Sequence, residues 1–266
     1  MPRPPPGNIR LEIRPLSELK PHEETVAGLT ERVLRALEKE RVQRDPVIVD
    51  GSSGTVLDGT HRVEALRRAG ARSALTFVVD YQDPGVRLYR WLRVARGGER
   101  SRAVEIVRSL GLERVGRPPS TAAGSPLRVV VSRTEAYGLG GAASLDDQVE
   151  VVRGFDAACA ERGLRVEFLD ETLAVAAGGS PTAGEPLLTL VPPGLSKGDV
   201  LRAGAERRPF PPKSTLHVFP YRPLGVRYPV EDLRAGRDVL QELLGTRRAR
   251  LLGASRGRRE PVVVFE

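Results

Sequence analysis

Apolar and polar residues alternate over short stretches of the first third of the chain, and elsewhere apolar residues recur at helical spacing. Alternation and short apolar runs predict strands at 9–13, 47–49, 55–57 and 75–79. Apolar residues every three or four positions predict an amphipathic helix at about 26–40, and a second helix at 61–69 ends before Gly70. Residues 9–96 are therefore predicted to form a mixed domain of short strands around two helices.

A stretch rich in proline, serine, glycine and alanine separates this region from the rest. Residues 97–126 are predicted to be a connector, with a helix at 99–111 and a linker from 117 onward. Beyond the linker, 127–266 alternates predicted strands with helices, including one helix at 232–244. This alternation predicts an α/β (α+β) fold class, with an N-terminal domain, a C-terminal α/β domain and a cleft between them.

Composition excludes several classes of protein. Hydrophobic residues make up 40% of the 266 positions, which supports a packed core, and no run approaches the roughly 18 apolar residues of a membrane span. The single cysteine, Cys159, excludes an internal disulfide framework and suits a reducing cytoplasm. A net charge of +8 suits nucleic acid, nucleotides or phosphorylated metabolites. The arginine-rich segment 247–259 lacks interleaved aromatic residues, so nucleic acid is not the expected partner.

Asp58, His61 and Arg62 lie within five residues of one another, where a predicted strand leads into a predicted helix through Gly59. The first amide groups of a helix have no partner within it and suit a phosphate group. Arg62 would add a bidentate donor, His61 another contact, and Asp58 a carboxylate for a metal or a hydroxyl. Short motifs of this kind match by chance, and capping of the helix by Asp58 is an open alternative.

Glu23 follows a proline and a histidine in the sequence at 21–24 and is a candidate general base. A carboxylate whose pKa is raised by its surroundings can take a proton from a hydroxyl group. The alternative is a solvated helix N-terminus, where carboxylates complement the helix dipole.

Trp91, the only tryptophan, either packs in a core or covers a ligand. The histidines lack the close His/Cys spacing of a zinc site; they are His22, His61 and His217.

Several motifs in order resemble the ParB/sulfiredoxin fold over residues 10–81, namely those at 19–23, 46–49 and 56–62. Within that fold, sulfiredoxins carry a cysteine directly before His-Arg, where this chain has Thr60. The chromosome-partition branch has a Gly-Glu-Arg-Arg type of motif, which differs from the motif of this chain. The free L-serine kinases, which are related to siderophore-cluster ParB-like proteins, match better. The shared elements are Pro-His-Glu at 21–23, Asp-Gly-x-His-Arg at 58–62, a tryptophan at 91, and Pro-Lys-Ser-Thr-x-His at 212–217.

The resemblance implies a phosphotransferase with an alcohol acceptor. A phosphoryl group would pass from ADP or ATP, with Mg²⁺ bridging the phosphates, to the hydroxyl of free L-serine, giving O-phospho-L-serine. Glu23 would take the serine proton, and Asp58 would act near the hydroxyl or as a ligand of the metal. The residues implied to hold the nucleotide phosphates are Gly59, Thr60, His61 and Arg62. Those implied to form the serine pocket are Trp91, Lys213, Ser214, Thr215 and His217.

This chain departs from the family pattern at two positions. Thr60 stands where the family often has histidine, and Leu216 stands where it often has arginine. The resemblance implies that such an arginine could contact the substrate carboxylate or a phosphate, a contact that Leu216 could not make. The alternative hypothesis is a ParB-like nucleotide-dependent DNA-binding or regulatory protein. A third is a regulator that senses a nucleotide or metabolite without catalysis.

Overall fold

The computed structural model describes residues 9–115, 125–132, 135–172, 187–254 and 259–266. Of the predicted linker, residues 117–124 lie outside the described residues. The helices among the described residues are α1 (Ala27–Glu40), α2 (Thr60–Arg68), α3 (Arg100–Ser109), α4 (Leu145–Glu161), α5 (Lys197–Glu206), α6 (Val230–Ala235) and α7 (Leu240–Gly245).

The strands among the same residues are β1 (Leu11–Pro15), β2 (Lys20–Pro21), β3 (Val42–Gln43), β4 (Val47–Asp50), β5 (Thr55–Asp58), β6 (Ser73–Val79), β7 (Arg87–Tyr89), β8 (Trp91–Arg96), β9 (Glu113–Val115), β10 (Arg128–Ser132), β11 (Glu135–Gly138), β12 (Arg165–Asp170), β13 (Leu188–Val191), β14 (Leu216–Val218), β15 (Arg222–Leu224), β16 (Tyr228–Pro229), β17 (Ala249–Leu252) and β18 (Val262–Phe265). The expected α/β class is confirmed.

The chain divides into two compact units. Unit 1 comprises the described residues of Met1–Arg87, Lys197–Pro212 and His217–Glu266, and unit 2 those of Leu88–Ser196 and Lys213–Leu216. The bounds of both units differ from the expected division into 9–96, 97–126 and 127–266, because the chain passes between the units more than once.

A five-stranded sheet in the order β1-β6-β4-β5-β2 forms the centre of unit 1. The β4 strand lies in the middle, parallel to β6 and antiparallel to β5, and β5 is parallel to the short edge strand β2. Helices α1 and α2 pack against each other, and their apolar faces join the sheet in one core. The β5 strand is thus buried up to its last residue, Asp58, which begins the turn into α2.

The C-terminal segment, which comprises the described residues of 217–266, belongs to unit 1 because its apolar residues complete that core. Val226, Tyr228 and Leu233 are fully buried in the same cluster as the residues of β4 and β6. The β16 strand pairs with β3, and the Arg72 amide donates to the Leu233 carbonyl at 3.0 Å. Without this segment, the apolar residues of unit 1 would be exposed to water, which is unfavourable.

Unit 2 contains a six-stranded antiparallel sheet in the order β12-β8-β13-β10-β11-β9. Helices α3 and α4 cover it with a shared core. A capping box starts α4: Ser144 accepts from the Asp147 amide, and the Asp147 carboxylate accepts from the Ser144 amide. Cys159 is fully buried in this core.

Two secondary-structure expectations differ from the structure. The helix predicted at 232–244 is two helices, α6 and α7, because Gly236 adopts a φ of 68° that ends the first one. The β8 strand, which starts at Trp91, was not predicted, and it lies in the sheet of unit 2 rather than in the N-terminal domain. Among the described residues, no helix has the length and apolar character that crossing a membrane requires.

Candidate active site

The turn between β5 and α2 leads into a helix whose start has no side-chain cap. Gly59 adopts φ 100° and ψ 23°, a left-handed conformation that glycine accepts at little steric cost. Gly59 has no side chain to cap the helix, and no side-chain hydrogen bond caps α2. The first amide groups of α2 are therefore suited to an anionic ligand, which the helix dipole also favours.

Asp58 is bound by two arginines. Its Oδ2 atom accepts from Arg62 Nη2 at 2.5 Å and from Arg222 Nη1 at 2.7 Å. Burial disfavours the charged carboxylate, but the positive charges of Arg222 and Arg62 outweigh that penalty and lower the pKa of Asp58 far below its ordinary value. Asp58 is therefore ionised at neutral pH and holds two guanidinium groups beside the first turn of α2.

Arg222 was not predicted as a site residue. Its Nε donates to Glu260 Oε1 at 2.5 Å, and its guanidinium lies 5.2 Å from the ring centroid of Phe219. Glu260, which is 8% exposed, also accepts from the Phe219 amide through Oε2 at 2.5 Å. The motif at 58–62 is therefore linked to the C-terminal segment by a chain of charged groups.

Glu23 lies at the end of the sheet where β5 ends at Asp58. Lys20 pairs with Thr55 and Pro21 with Val56, so the parallel strands β2 and β5 end at neighbouring positions. The backbone around Glu23 is clamped, because the Phe210 amide donates to the His22 carbonyl and the Glu24 amide to the Phe210 carbonyl, both at 2.8 Å. The Glu23 side chain is 16% exposed, with Oε1 at 4.0 Å from His22 Nε2.

His22 and His61 have positions fixed by backbone groups. His22 is 2% exposed, and its Nδ1 donates to the Val56 carbonyl at 2.5 Å, because a carbonyl oxygen can only accept. His61 Nε2 accepts from the Val26 amide at 3.0 Å, directly before α1. A neutral His61 therefore carries its proton on Nδ1.

His217 lies in a buried aromatic cluster of unit 1. Its Nε2 is hydrogen-bonded to the hydroxyl of Tyr81 at 2.8 Å, and its ring contacts His22 edge-on and stacks on Phe219. Burial, together with the charges of His22 and Arg222, lowers the pKa of His217 well below its ordinary value. Tyr81 is fully buried, which raises the pKa of its hydroxyl. Both groups are therefore neutral at pH 7.

The other expected substrate residues lie in unit 2. Lys213 places its Nζ 4.8 Å from the ring centroid of Trp91, a cation–π contact. Ser214 and Thr215 are 5% and 7% exposed. The carbonyl of Lys213 accepts from Arg93 Nη1 at 3.4 Å, and Arg93 Nε donates to both carboxylate oxygens of Asp156 at 3.0 Å. Trp91 and the 213–215 segment thus belong to one local arrangement.

The structure brings together those expected residues that lie in unit 1, namely Glu23, Asp58, Gly59, Thr60, His61, Arg62 and His217. It adds residues that the sequence did not single out, namely Arg222, Glu260 and Tyr81. The only available signal for Arg222 and Glu260 was a charged residue at the start of, or just before, a short apolar strand. Within the described residues, no group of three or more histidine, cysteine, aspartate or glutamate side chains could hold a metal ion.

Comparison with known proteins supports the resemblance. No family model matches the chain. It is 23% identical over 224 residues to the ADP-dependent L-serine kinase SerK of Thermococcus kodakarensis, covering 82% of this chain and 90% of the relative. It is 24% identical over 230 residues to the ATP-dependent L-serine kinase of Staphylothermus marinus, covering 82% of this chain and 89% of the relative.

A similar solved structure is free serine kinase in complex with AMP, in a variant with glutamine in place of one glutamate. The TM-score is 0.70 at 21% identity, and the match covers 86% of this chain and 96% of that one. The family resemblance carried by the motifs is therefore confirmed: in sequence the chain is similar to L-serine kinases over most of its length, and it has the fold of free serine kinase.

Proposed function

We propose that this chain is a free L-serine kinase, which transfers a phosphoryl group from ADP or ATP to the serine hydroxyl and releases O-phospho-L-serine. The observation that carries the proposal is the turn at 58–62. It combines uncapped helix amides, Arg62 and an ionised Asp58 at the end of the sheet where Glu23 lies. The turn lies in a chain whose relatives are named as L-serine kinases.

The nucleotide phosphates are proposed to bind at this turn. The amides of Gly59 and Thr60, the Arg62 guanidinium and His61 would face them. Because His61 Nε2 accepts from the Val26 amide, the proton on Nδ1 makes the neutral ring a donor for a phosphate oxygen. Phosphoryl transfer depends mainly on positioning and on neutralising the charge of the phosphates, and these groups supply both.

Glu23 is proposed to take the proton from the serine hydroxyl as its oxygen attacks the phosphorus. The clamp at Phe210 fixes the backbone on both sides of Glu23, so its carboxylate is presented from a rigid strand end. Serine is proposed to be bound by Trp91, Lys213, Ser214 and Thr215. His217 would contribute packing, because its Nε2 is already bonded to Tyr81.

Mg²⁺ is proposed to enter with the nucleotide, on its phosphates. Asp58 Oδ2 already accepts hydrogen bonds from two guanidinium groups. A cation bound to that oxygen would be repelled by the positive charges of Arg62 and Arg222. A metal carried by phosphates is the usual arrangement for Mg²⁺, which keeps few protein ligands. We also propose a cytoplasmic location, which suits a chain with one buried cysteine.

The test is incubation of the purified chain with L-serine, Mg²⁺ and either ADP or ATP, with phosphoserine and the matching AMP or ADP measured together. The proposal expects equal amounts of the two products from at least one donor. Absence of turnover with both donors, across a panel of small hydroxylated metabolites, would refute it. Salt-sensitive binding of duplex DNA that survives Glu23→Gln would instead favour the DNA-binding alternative.

A further inference from the structure

Arg222 is held in place from its backbone outward. The β15 strand starts at Arg222 and pairs in parallel with β18, with Arg222 opposite Val262. The Arg222 amide donates to the Pro261 carbonyl at 3.0 Å, so its backbone is tied to the residue that follows Glu260. The side chain therefore leaves a fixed strand end and not a loop.

The Arg222 guanidinium lies between two carboxylates. Glu260 accepts from its Nε and Asp58 from its Nη1, at 2.5 and 2.7 Å, while its Cζ lies 5.2 Å from the centroid of the Phe219 ring. Two carboxylates contact the single guanidinium of Arg222, so it is poorly suited to attract a phosphate directly. Its side chain is 23% exposed, and its geometry suits a fixed anchor for Asp58.

Arg62 depends on that anchor. Arg62 and Asp58 are four residues apart, and an isolated ion pair at this spacing contributes little to stability. Such a pair does not fix two side chains by itself. Arg222 binds the same Oδ2 atom from a strand 164 residues further along the chain, and so gives the carboxylate a second, tertiary contact.

We propose that Arg222 is a positioning residue of the phosphate turn: it fixes Asp58, and through Asp58 it orients Arg62 toward the nucleotide phosphates. The identity of the ligand rests on the proposed function. The role itself is a statement about how three side chains are coupled. Ligand-binding groups need partners that lock their orientation, and loss of such partners commonly weakens binding by about tenfold or more.

The test is a double-mutant cycle on AMP affinity, measured by titration calorimetry for the wild type, Arg222→Met, Asp58→Asn and the double variant. Arg222→Met is expected to weaken AMP binding about tenfold. Because Arg222 acts through Asp58, the double variant should bind no more weakly than the weaker single variant. Arg202→Met is the matched control, since Arg202 is an exposed arginine of unit 1 paired with Asp199.

Losses that multiply in the double variant would overturn the proposal, because they indicate an independent phosphate contact. Arg222→Met binding AMP as tightly as Arg202→Met would overturn it too. Arg222→Lys should recover part of the affinity, since one ammonium can reach Asp58 but cannot also serve Glu260. Should Arg222→Met fail to fold, Glu260→Gln replaces it in the same cycle, with a smaller loss in the same direction. A wild type that binds AMP but does not phosphorylate serine would refute the proposed function and leave this cycle intact.

Discussion

Gly59 joins an unusual backbone conformation to the proposed phosphate site. Its φ of 100° is a conformation that L-residues rarely adopt. A Cβ at this position would lie 2.8 Å from Arg62 Nε and 2.9 Å from Nη2, closer than real Cβ atoms approach other heavy atoms. In Gly59→Ala the Arg62 guanidinium must therefore move, and its bond to Asp58 is strained or lost.

The expected loss of stability follows from two contributions. A left-handed backbone costs an L-residue roughly 1–2 kcal/mol, and a φ of 100° lies well beyond the usual left-handed value of about 57°, which favours the upper end. Loss of the pair between Asp58 and Arg62 adds about 0.3–0.5 kcal/mol. The free energy of unfolding should therefore fall by about 2 kcal/mol, with a larger effect on AMP binding because Arg62 leaves its position.

Gly70→Ala is the matched control. Gly70 ends α2 in a Schellman motif, in which the Ala71 amide donates to the Leu66 carbonyl and the Gly70 amide to the Arg67 carbonyl. Its φ is 76°, and a Cβ there would meet nothing within 4 Å. Gly70→Ala thus introduces similar backbone strain, of roughly 1–2 kcal/mol, without moving a binding residue.

Urea unfolding and AMP titration on the same preparations separate the two effects. Both variants should lose stability, and only Gly59→Ala should lose AMP affinity, by about tenfold or more. If Gly59→Ala binds AMP like the wild type, the proposed role of Arg62 is refuted. If Gly70→Ala loses as much affinity, general destabilisation explains the result.

Three further predictions follow from the buried cluster and the metal. Folding lowers the pKa of His217, so the stability it confers is complete above the unfolded pKa of about 6.5 and is lost as the pH falls below that value toward the folded pKa. Between about pH 8 and about pH 5.5, urea unfolding should show a larger loss for the wild type than for His217→Asn, and equal losses would contradict this reasoning. Tyr81→Phe leaves His217 Nε2 without its hydroxyl partner and should destabilise unit 1 by about 1–3 kcal/mol, whereas Tyr221→Phe should have a smaller effect; equal effects would argue against the Tyr81 bond. Chelation of Mg²⁺ by EDTA should stop phosphoserine formation, and added Mg²⁺ should restore it; turnover in EDTA would exclude the proposed metal requirement.

The strand–glycine–helix turn at 58–62 was predictable because all its signals are local. A β-branched run, a glycine and helical spacing lie within about a dozen residues, and β5, Gly59 and α2 follow them closely. The helix at 26–40 was predictable for the same reason, since one apolar stripe defines it.

The partners of that turn were not predictable from local patterns. Arg222 lies 164 residues from Asp58, and its short strand carries little periodicity. The composition of the units has the same cause. The C-terminal segment joins unit 1 through tertiary contacts such as the pairing of Tyr228 with Gln43, which no local spacing encodes. One arginine and one carboxylate in a chain with 42 basic residues give no signal until the fold brings them together.

The central claim is that this chain phosphorylates free serine with Glu23 as the general base. It is tested most directly by measuring the rate of O-phosphoserine formation and the AMP affinity of Glu23→Gln, with Glu24→Gln as the adjacent control. The account predicts a fall in rate of about 100-fold or more for Glu23→Gln, with AMP affinity retained and Glu24→Gln close to the wild type. Full activity in Glu23→Gln, or equal losses in both variants, would contradict it.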